Sequence, residues 1–541
     1  MGYNEGHHDS HIAATTATLL VTISLLYRYI LYPAFFSPLA KLPTPHWSCS
    51  VSPVWILSAR FYGRENRTLQ EAHKEHGPIV RLGPNEVSVN DMEAVKTVYQ
   101  GGFDKHEWYS VFDNYGVPCT FSSSEAKHHS LRKRMVSNVY SKSYVHSSTS
   151  LAAQNHEILN SRLLPLLEES THKSQDPHGI DVHSLFAGVA MDFITTYCFG
   201  LRNSSNFIQQ KLYRDHWLEL YKVRKGYGFF DQELPRLSKA LRFVGLNLTP
   251  SWVTAANREL EAWCKKLCDS ARVFLIDDTE ADPQGTANDP VVLRSLLVGI
   301  EKEESTSGAA SPLYSTTIQR RELSLASEMF DHVLAGQETT GVALTYVSWH
   351  LSRSRDLQRE LRAELLTLLP DMRLREGKAA TPDPRQLDRL PILHAVITET
   401  VRRYAPAGGP EPRVTPAASC RIGPHEIPGG VRISASVYNL HRDERYFPDP
   451  ETWDHTRWLP RDGDEDEEKR RDRQRQFWGF SSGGRMCLGS NFAMHEMKLV
   501  VAAIYSNYMS HIVSDDGIEP TDGYTAHPTS GQLWLRFDKI A

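Results

Sequence analysis

The chain has 541 residues, 60 Lys and Arg against 65 Asp and Glu, a formal net charge of -5, and 40% hydrophobic and 23% charged residues. That is enough apolar material for a large core and too little positive charge for nucleic acid to be the main partner. The seven cysteines, Cys49, Cys119, Cys198, Cys264, Cys268, Cys420 and Cys487, are scattered and odd in number, which argues for a reducing compartment and against a disulfide framework.

Residues 12–36 carry a single charge, Arg28, over a length that suits the ~20 residues needed to cross a hydrocarbon core. A cleaved signal peptide is the alternative, but the run has no basic segment before it and no clear small-residue cleavage site. Residues 1–11 hold Glu5 and Asp9 and no Lys or Arg, whereas Arg28, Lys41 and Arg60 lie within or after the span. The positive-inside bias therefore places residues 1–11 in the lumen and the body in the cytosol. The sequons at Asn66, Asn203 and Asn247 then read as chance. Pro38, Pro43 and Pro45 predict a stiff hinge over 37–53, and residues 54–541 read as one domain without repeats or a second span.

Gly77-Pro-Ile-Val-Arg-Leu, the turn Gly83-Pro-Asn and Glu86-Val-Ser-Val predict a β-hairpin. Residues 101–121 are irregular and rich in Phe, Trp and Tyr. His128, His129, Arg132, Lys133 and Arg134 open a helical segment whose basic face is either solvated or holds an anion. Residues 150–275 are helical by pattern, with Cys264 and Cys268 on one helix face as core thiols. The polar run Asp277 to Ser311 predicts a surface connection.

Glu322 to Ser352 predicts one long helix, with Ala335-Gly336-Gln337-Glu338-Thr339-Thr340 at its middle. Gly inside a helix costs about 1 kcal/mol relative to Ala, so a plain core helix would avoid it. An opened turn here would let a flat ligand approach the backbone, and a hydroxyl beside a carboxylate, Thr339 beside Glu338, can relay protons. Pro391 starts another helix that sets Glu399 and Arg402 on one face. Residues 405–414, with Gly408, Gly409, Pro410 and Pro412, are too broken for a helix. Cys420 to Tyr438 predicts two strands around Pro428-Gly429-Gly430, and Asp462 to Arg475 a solvated loop.

Phe480 to Gly489 reads Phe-Ser-Ser-Gly-Gly-Arg-Met-Cys-Leu-Gly. Cys487 falls where this loop enters an apolar segment, Leu488 to Tyr508, so its thiol is expected at a helix N-terminus that favours the thiolate and metal ligation. Gly483 and Gly489 would allow a flat cofactor to lie against the backbone. Phe480 can cover the sulfur, and Arg485 can fork onto a carboxylate.

The pattern Phe480-x-x-Gly483-x-Arg485-x-Cys487-x-Gly489 resembles the haem-binding signature of the cytochrome P-450 family, the haem-thiolate monooxygenases, at every fixed position. Residues 335–340 resemble the family's oxygen-binding helix, and Glu399-x-x-Arg402 its Glu-x-x-Arg helix. Arg457 stands as the expected downstream partner, in a stretch where Trp453 replaces the common Phe and His455 the common Pro. The resemblance covers nearly the whole chain after the anchor. It implies a mainly α fold with small β-sheets, one large domain behind a transmembrane helix, and haem b (iron protoporphyrin IX) with Cys487 as axial ligand. Thr339 would hydrogen-bond the bound oxygen, Glu338 would help deliver protons, and Ala335 and Gly336 would flank the cofactor. Arg132, four residues after His128, and Arg413 would reach the propionates. Residues 101–121 and 405–414 would line the substrate cavity, and Glu399, Arg402 and Arg457 would clamp the cysteine loop.

With no flavin or nicotinamide domain in the sequence, electrons are expected from a separate NADPH-cytochrome reductase at the endoplasmic reticulum membrane, as in the family's microsomal members. The cysteine loop and the Gly77–Glu86 run look most like enzymes of filamentous fungi. The expected activity is insertion of one atom of O2 into a lipophilic small molecule, by hydroxylation or epoxidation, in secondary-metabolite tailoring. Oxidative coupling, desaturation, and isomerase or dehydratase chemistry are alternatives, the last two disfavoured by the intact Glu338-Thr339 pair. A membrane-tethered carrier without turnover is the alternative of another class.

Overall fold

The N-terminal helix Glu5–Leu26 passes into a wider, π-helical segment, Tyr27–Phe36, which holds Pro33. Ile12–Phe36 is long and apolar enough to cross a membrane, and none of its most apolar window packs into the protein. The computed structural model describes residues 5–172, 179–277, 286–460 and 464–540. Residues 1–4 of the expected lumenal segment and 278–285 of the polar run lie outside the described residues, as do 462 and 463 of the charged run.

The expected hinge is docked instead. Leu39 and Leu42 are buried in the core beneath the main sheet. The buried Arg81 guanidinium donates to the carbonyls of Pro33 at 3.0 Å, Ser50 at 3.1 Å, Gly83 at 3.1 Å and Pro84 at 3.1 Å. Four carbonyls thus satisfy one buried cation and tie the anchor's exit to the sheet. Asn66, the first sequon, is buried, with Nδ2 donating to the Gly523 carbonyl at 2.9 Å.

Strands β1 (Ile79–Gly83) and β2 (Glu86–Val89) form the expected antiparallel hairpin. With β3 (Asp104–Lys105), β5 (Arg413–Val414) and β8 (Arg432–Ser434) they make a five-stranded sheet in the order β1-β2-β8-β5-β3, in which β2 and β8 run parallel. Strand β4 (Ile180–Asp181) pairs with β10 (Trp534–Lys539) and β10 with β9 (Tyr508–Ser514). The stretch 420–438 contains three strands where two were expected. Strands β6 (Ser419–Ile422) and β7 (His425–Pro428) close a separate hairpin around Gly423, which takes φ +56°, and Gly429-Gly430 then leads into β8.

Helices build the rest, in a core that runs from Val136 to Phe537. The expected long helix is Arg321–Ser352, and Ser354 caps the helix that follows it by accepting the Leu357 N–H. Its neighbour Val182–Phe199 is apolar enough to span a membrane but is 89% buried, so it is a core helix. Gly336 and Gly341 let the two approach. A Cβ at Gly336 would stand 2.8 Å from Ile194 Cγ1, and one at Gly341 3.0 Å from Ala187 Cα. The long helix is continuous through 335–340, without the expected opened turn, and the glycine there allows the close helix packing.

Two further expectations fail for lack of tertiary information. Within Asp277 to Ser311, Val291–Ser307 is a helix that buries Val291, Val292, Leu293, Leu296 and Ile300. The charged run is also helical, Asp464–Gln476, with Glu467 paired to Arg470 and Arg471, and Asp472 to Arg475. Glu, Lys, Arg and Gln are good helix formers, and pairs at i, i+3 and i+4 add to that. The apolar segment after Cys487 splits into helix Ser490–Tyr505 and β9.

Candidate active site

The cysteine loop, the long helix and the 405–414 segment converge on a cavity of about 1200 Å³. Cys487 opens onto it, three residues before helix Ser490–Tyr505, with its N–H donating to the Phe480 carbonyl at 2.9 Å. Phe480 and Gly489 line the cavity beside the sulfur, and a Cβ on Gly489 would meet nothing within 4 Å, so that face is clear for a flat group. Gly483 has another reason. It takes φ +72°, and a Cβ there would fall 2.3 Å from the Tyr99 carbonyl oxygen. Burial pushes the Cys487 thiol up, against the lowering by a hydrogen bond from Gly489 and the Lys133 charge. A metal bound at this sulfur would displace the proton and hold the thiolate.

One end of the cavity is crowded with cations. Arg413 and Arg485 line it with Lys105, Lys133 and His129. Burial, then Arg413, pulls Arg485 down to about 10, and burial with Arg413 and Arg485 pulls Lys105 well below its usual range. His129 is driven to about 2 by burial, then by Arg485 and Lys105. Glu411, 3.3 Å from Arg413 Nη2, and Asp104, 3.8 Å from Arg485 Nη2, are their close acids. A group carrying carboxylates relieves such like-charge crowding, so the residues present fit a haem with its propionates at this end.

Arg132 is not among them. It points away, with Nη1 donating to Ser324 Oγ at 3.3 Å and Nη2 to Thr316 Oγ1 at 3.0 Å, and His128 turns outward to Glu125. On helix Ala126–Val136 the pair that faces the cavity is His129 and Lys133, with the same spacing one residue along. Lys133 Nζ donates to the carbonyls of Gly484 and Met486, each at 3.0 Å, and so braces the cysteine loop. Arg413 also donates to Tyr109 Oη at 3.1 Å and lies 4.6 Å over the Tyr99 ring.

From the long helix, Ala335, Gly336 and Thr339 line the cavity, and Thr339 Oγ1 donates to the Ala335 carbonyl at 2.7 Å. Glu338 is held away from Thr339. It accepts from Tyr221 Oη at 2.8 Å and Thr525 Oγ1 at 2.9 Å, and pairs closely with the Lys225 ammonium. Burial would raise this carboxyl, but Lys225 and the two hydroxyls outweigh it and keep it below its ordinary range. The aromatic stretch 101–121 supplies Trp108, Tyr109, Phe112 and Phe121 to the lining.

Beneath the loop, Arg402 forks onto Glu399 at 2.7 and 2.9 Å, and Arg457 stands 3.4 Å from the same carboxylate. Trp458 Nε1 and the Asp454 N–H donate to it as well, each at 2.9 Å. Trp453, in place of the usual Phe, donates to Thr400 Oγ1 at 3.0 Å and stacks on His350. A residue without a sequence signal joins this clamp to the cysteine loop. The Trp478 N–H donates to His441 Nε2 at 2.8 Å, leaving Nδ1–H to donate to the Arg402 carbonyl at 3.1 Å. Trp478 Nε1 then donates to Ser482 Oγ at 2.9 Å.

A cysteine open to a large cavity, faced by a helix hydroxyl and flanked by arginines, is the arrangement of a haem-thiolate oxygenase. The family model described as Cytochrome P450 matches residues 50–533, so the chain belongs to the cytochrome P450 family of haem-iron oxidoreductases that use molecular oxygen. It is similar to the cytochrome P450 monooxygenase hkm5 of Aspergillus hancockii, at 27% identity over 96% of this chain and 94% of the relative. It is also similar to cytochrome P450 monooxygenases macH of Penicillium terrestre, at 28% over 88% of each chain, and FGM1 of Gibberella zeae, at 27% over 97% and 98%.

Proposed function

We propose that this protein is a membrane-anchored haem b monooxygenase that inserts one oxygen atom from O2 into a lipophilic small molecule, by hydroxylation or epoxidation, in fungal secondary metabolism. What supports this reading is that Cys487 and Thr339 both line one largely apolar cavity. The similarity to monooxygenases of filamentous fungi supports the tailoring role. Residues 12–36 would span the endoplasmic reticulum membrane with residues 1–11 in the lumen, and the domain from residue 54 would face the cytosol and an NADPH-cytochrome reductase.

Cys487 would ligate the iron, with Arg413, Arg485, Lys133 and His129 holding the propionates. The bound haem supplies oxygen activation and the redox chemistry. The protein's own part is to hold the ring by these contacts, to exclude water with Phe112, Phe121 and Phe480, and to place a proton at Thr339 Oγ1. That hydroxyl must turn from the Ala335 carbonyl to give its proton inward, and Glu338 can resupply it only after release from Lys225. Thr339→Ala should keep haem and substrate binding but lower product formed per NADPH, with peroxide released instead. An unchanged yield would remove Thr339 from the relay.

A further inference from the structure

Helices Lys211–Gly226 and Ser251–Asp277 pack against each other, and both send polar side chains to the cavity. From the first comes Arg224, one turn after Tyr221, the residue that bonds Glu338. Its guanidinium is held in place. Nη2 donates to Asn114 Oδ1 at 2.9 Å, and the group lies 5.1 Å over the ring of Phe330 on the long helix. Asn114 is itself buried, with Nδ2 donating to the Ser327 carbonyl at 3.5 Å. Nη1 of Arg224 is buried with no hydrogen-bond partner.

Acids of the same cavity do not take up that N–H. Glu338 is paired with Lys225, Glu261 accepts the Tyr115 N–H at 3.2 Å, Asp331 bonds Cys119 and Asp113 bonds Ser122. None of the four forms an ion pair with Arg224 among the described residues, although Glu261 stands within electrostatic reach of it. The guanidinium charge is therefore balanced nearby while one of its nitrogens has no acceptor. A second buried polar atom without a partner, Asn257 Oδ1, lies one helical turn before Glu261 and also belongs to a residue of the lining. When a lipophilic substrate displaces water from the chamber, an N–H left unpaired costs about 1–3 kcal/mol. A substrate without an acceptor at this point is penalised by that amount.

We propose that Arg224 selects lipophilic substrates that present a carbonyl oxygen, as in a ketone, ester or amide, to its free N–H. This rests on the cavity being the monooxygenase substrate site. Phe330, against which the guanidinium lies, precedes Thr339 by nine residues of one helix, about 14 Å, so the oxidised carbon is expected on the order of 10 Å from the carbonyl.

The test uses the full-length holoprotein and three probes of one length: phenylbutyl methyl ketone, the alkene in which a methylene group replaces its carbonyl oxygen, and phenylpentanoate. Dissociation constants are measured by equilibrium dialysis. Arg224→Met should weaken the ketone roughly tenfold and leave the alkene within about twofold. No loss for the ketone, or an equal loss for the alkene, overturns the inference. So does the same tenfold loss in Arg67→Met, an exposed arginine that also lines the cavity. With Glu261 beside the site, phenylpentanoate should bind no tighter than the ketone. A carboxylate that binds tenfold tighter, and loses that advantage in Arg224→Met, would make this a site for acids and overturn the carbonyl assignment. Should Arg224→Met not fold, the infrared carbonyl stretch of isotope-labelled ketone bound to the wild type decides. It should fall below its value in an alkane solvent, as a hydrogen-bonded carbonyl does, and an unshifted stretch refutes the contact. The thiolate-type Soret band of the reduced, carbon monoxide-bound wild type is recorded in parallel. A normal band without dependence on Arg224 removes the subsite and leaves the monooxygenase, whereas an absent band removes the monooxygenase reading whatever dialysis shows.

Discussion

Replacing Arg402 with Ala removes the cation at the centre of the clamp. In the wild type its guanidinium makes two hydrogen bonds to Glu399 and three to the carbonyls of His441 at 3.3 Å, Pro450 at 2.7 Å and Thr452 at 3.1 Å. The side chains of Arg402 and Glu399 have no exposed surface, so water cannot replace what is lost. Arg457 at 3.4 Å, Trp458 and the Asp454 N–H still face Glu399, but its strongest counter-charge is gone. Removing one partner of a buried ion pair destabilises by about 3–5 kcal/mol. Roughly a hundredfold or more is then lost from the folded-to-unfolded ratio. Urea unfolding followed by circular dichroism should show this loss. Because His441 hangs from the Arg402 carbonyl and carries Trp478 and Ser482, haem release should also accelerate. Arg402→Lys should restore less than half, since an ammonium cannot reproduce the fork and the carbonyl contacts together. A loss below about 1 kcal/mol in Arg402→Ala would place the pair among exposed ion pairs in worth and refute the reasoning.

Gly336→Ala sets a methyl 2.8 Å from Ile194 Cγ1 and 3.0 Å from its Cβ, and should destabilise by about 1–3 kcal/mol in thermal unfolding, with Ile194→Ala in the same chain recovering most of it. Additive effects of the two substitutions would contradict a shared contact. Burial, then Arg402, hold His441 at about 3, while the unfolded side chain titrates near 6.5. The unfolded chain therefore binds the extra proton below that pH, and stability should fall by about 1.4 kcal/mol per unit as the pH drops from about 6.5 toward 3. His441→Phe should remove that slope from urea midpoints measured between pH 4 and 7, and an unaltered slope would exclude His441 as its source. Arg81→Leu leaves four carbonyls without their buried donor, so limited proteolysis should cut within 37–53 at least tenfold faster. An unchanged cutting rate would mean the segment is held by Leu39 and Leu42 alone.

The cysteine loop and the clamp turn were legible because their chemistry falls on neighbouring residues, with Phe480, Arg485, Cys487 and Gly489 in one loop and Glu399 and Arg402 on one helical turn. The hairpin β1-β2 was legible from its Gly83-Pro-Asn turn. Contacts made through space were not. His441 reaches both Arg402 and Trp478 from a segment with no motif. Arg132 was misplaced because an i, i+4 spacing is met equally by 128 and 132 and by 129 and 133. Only packing against Ser324 and Thr316 sets the phase of that helix. Gly336 lines the cavity as its motif implies, but its close approach to Ile194, 142 positions away in sequence, has no signal in that motif. The burial of Val291 to Ile300 was hidden by the acidic and hydroxylic residues around it.

The central claim is that Cys487 holds the haem iron, and the reduced carbon monoxide spectrum of purified Cys487→Ala beside the wild type tests it most directly. The wild type should show the thiolate-type Soret band and the variant none, with circular dichroism of the two alike. A wild type that stays colourless when supplied with haem, or a variant that keeps the band, would contradict it.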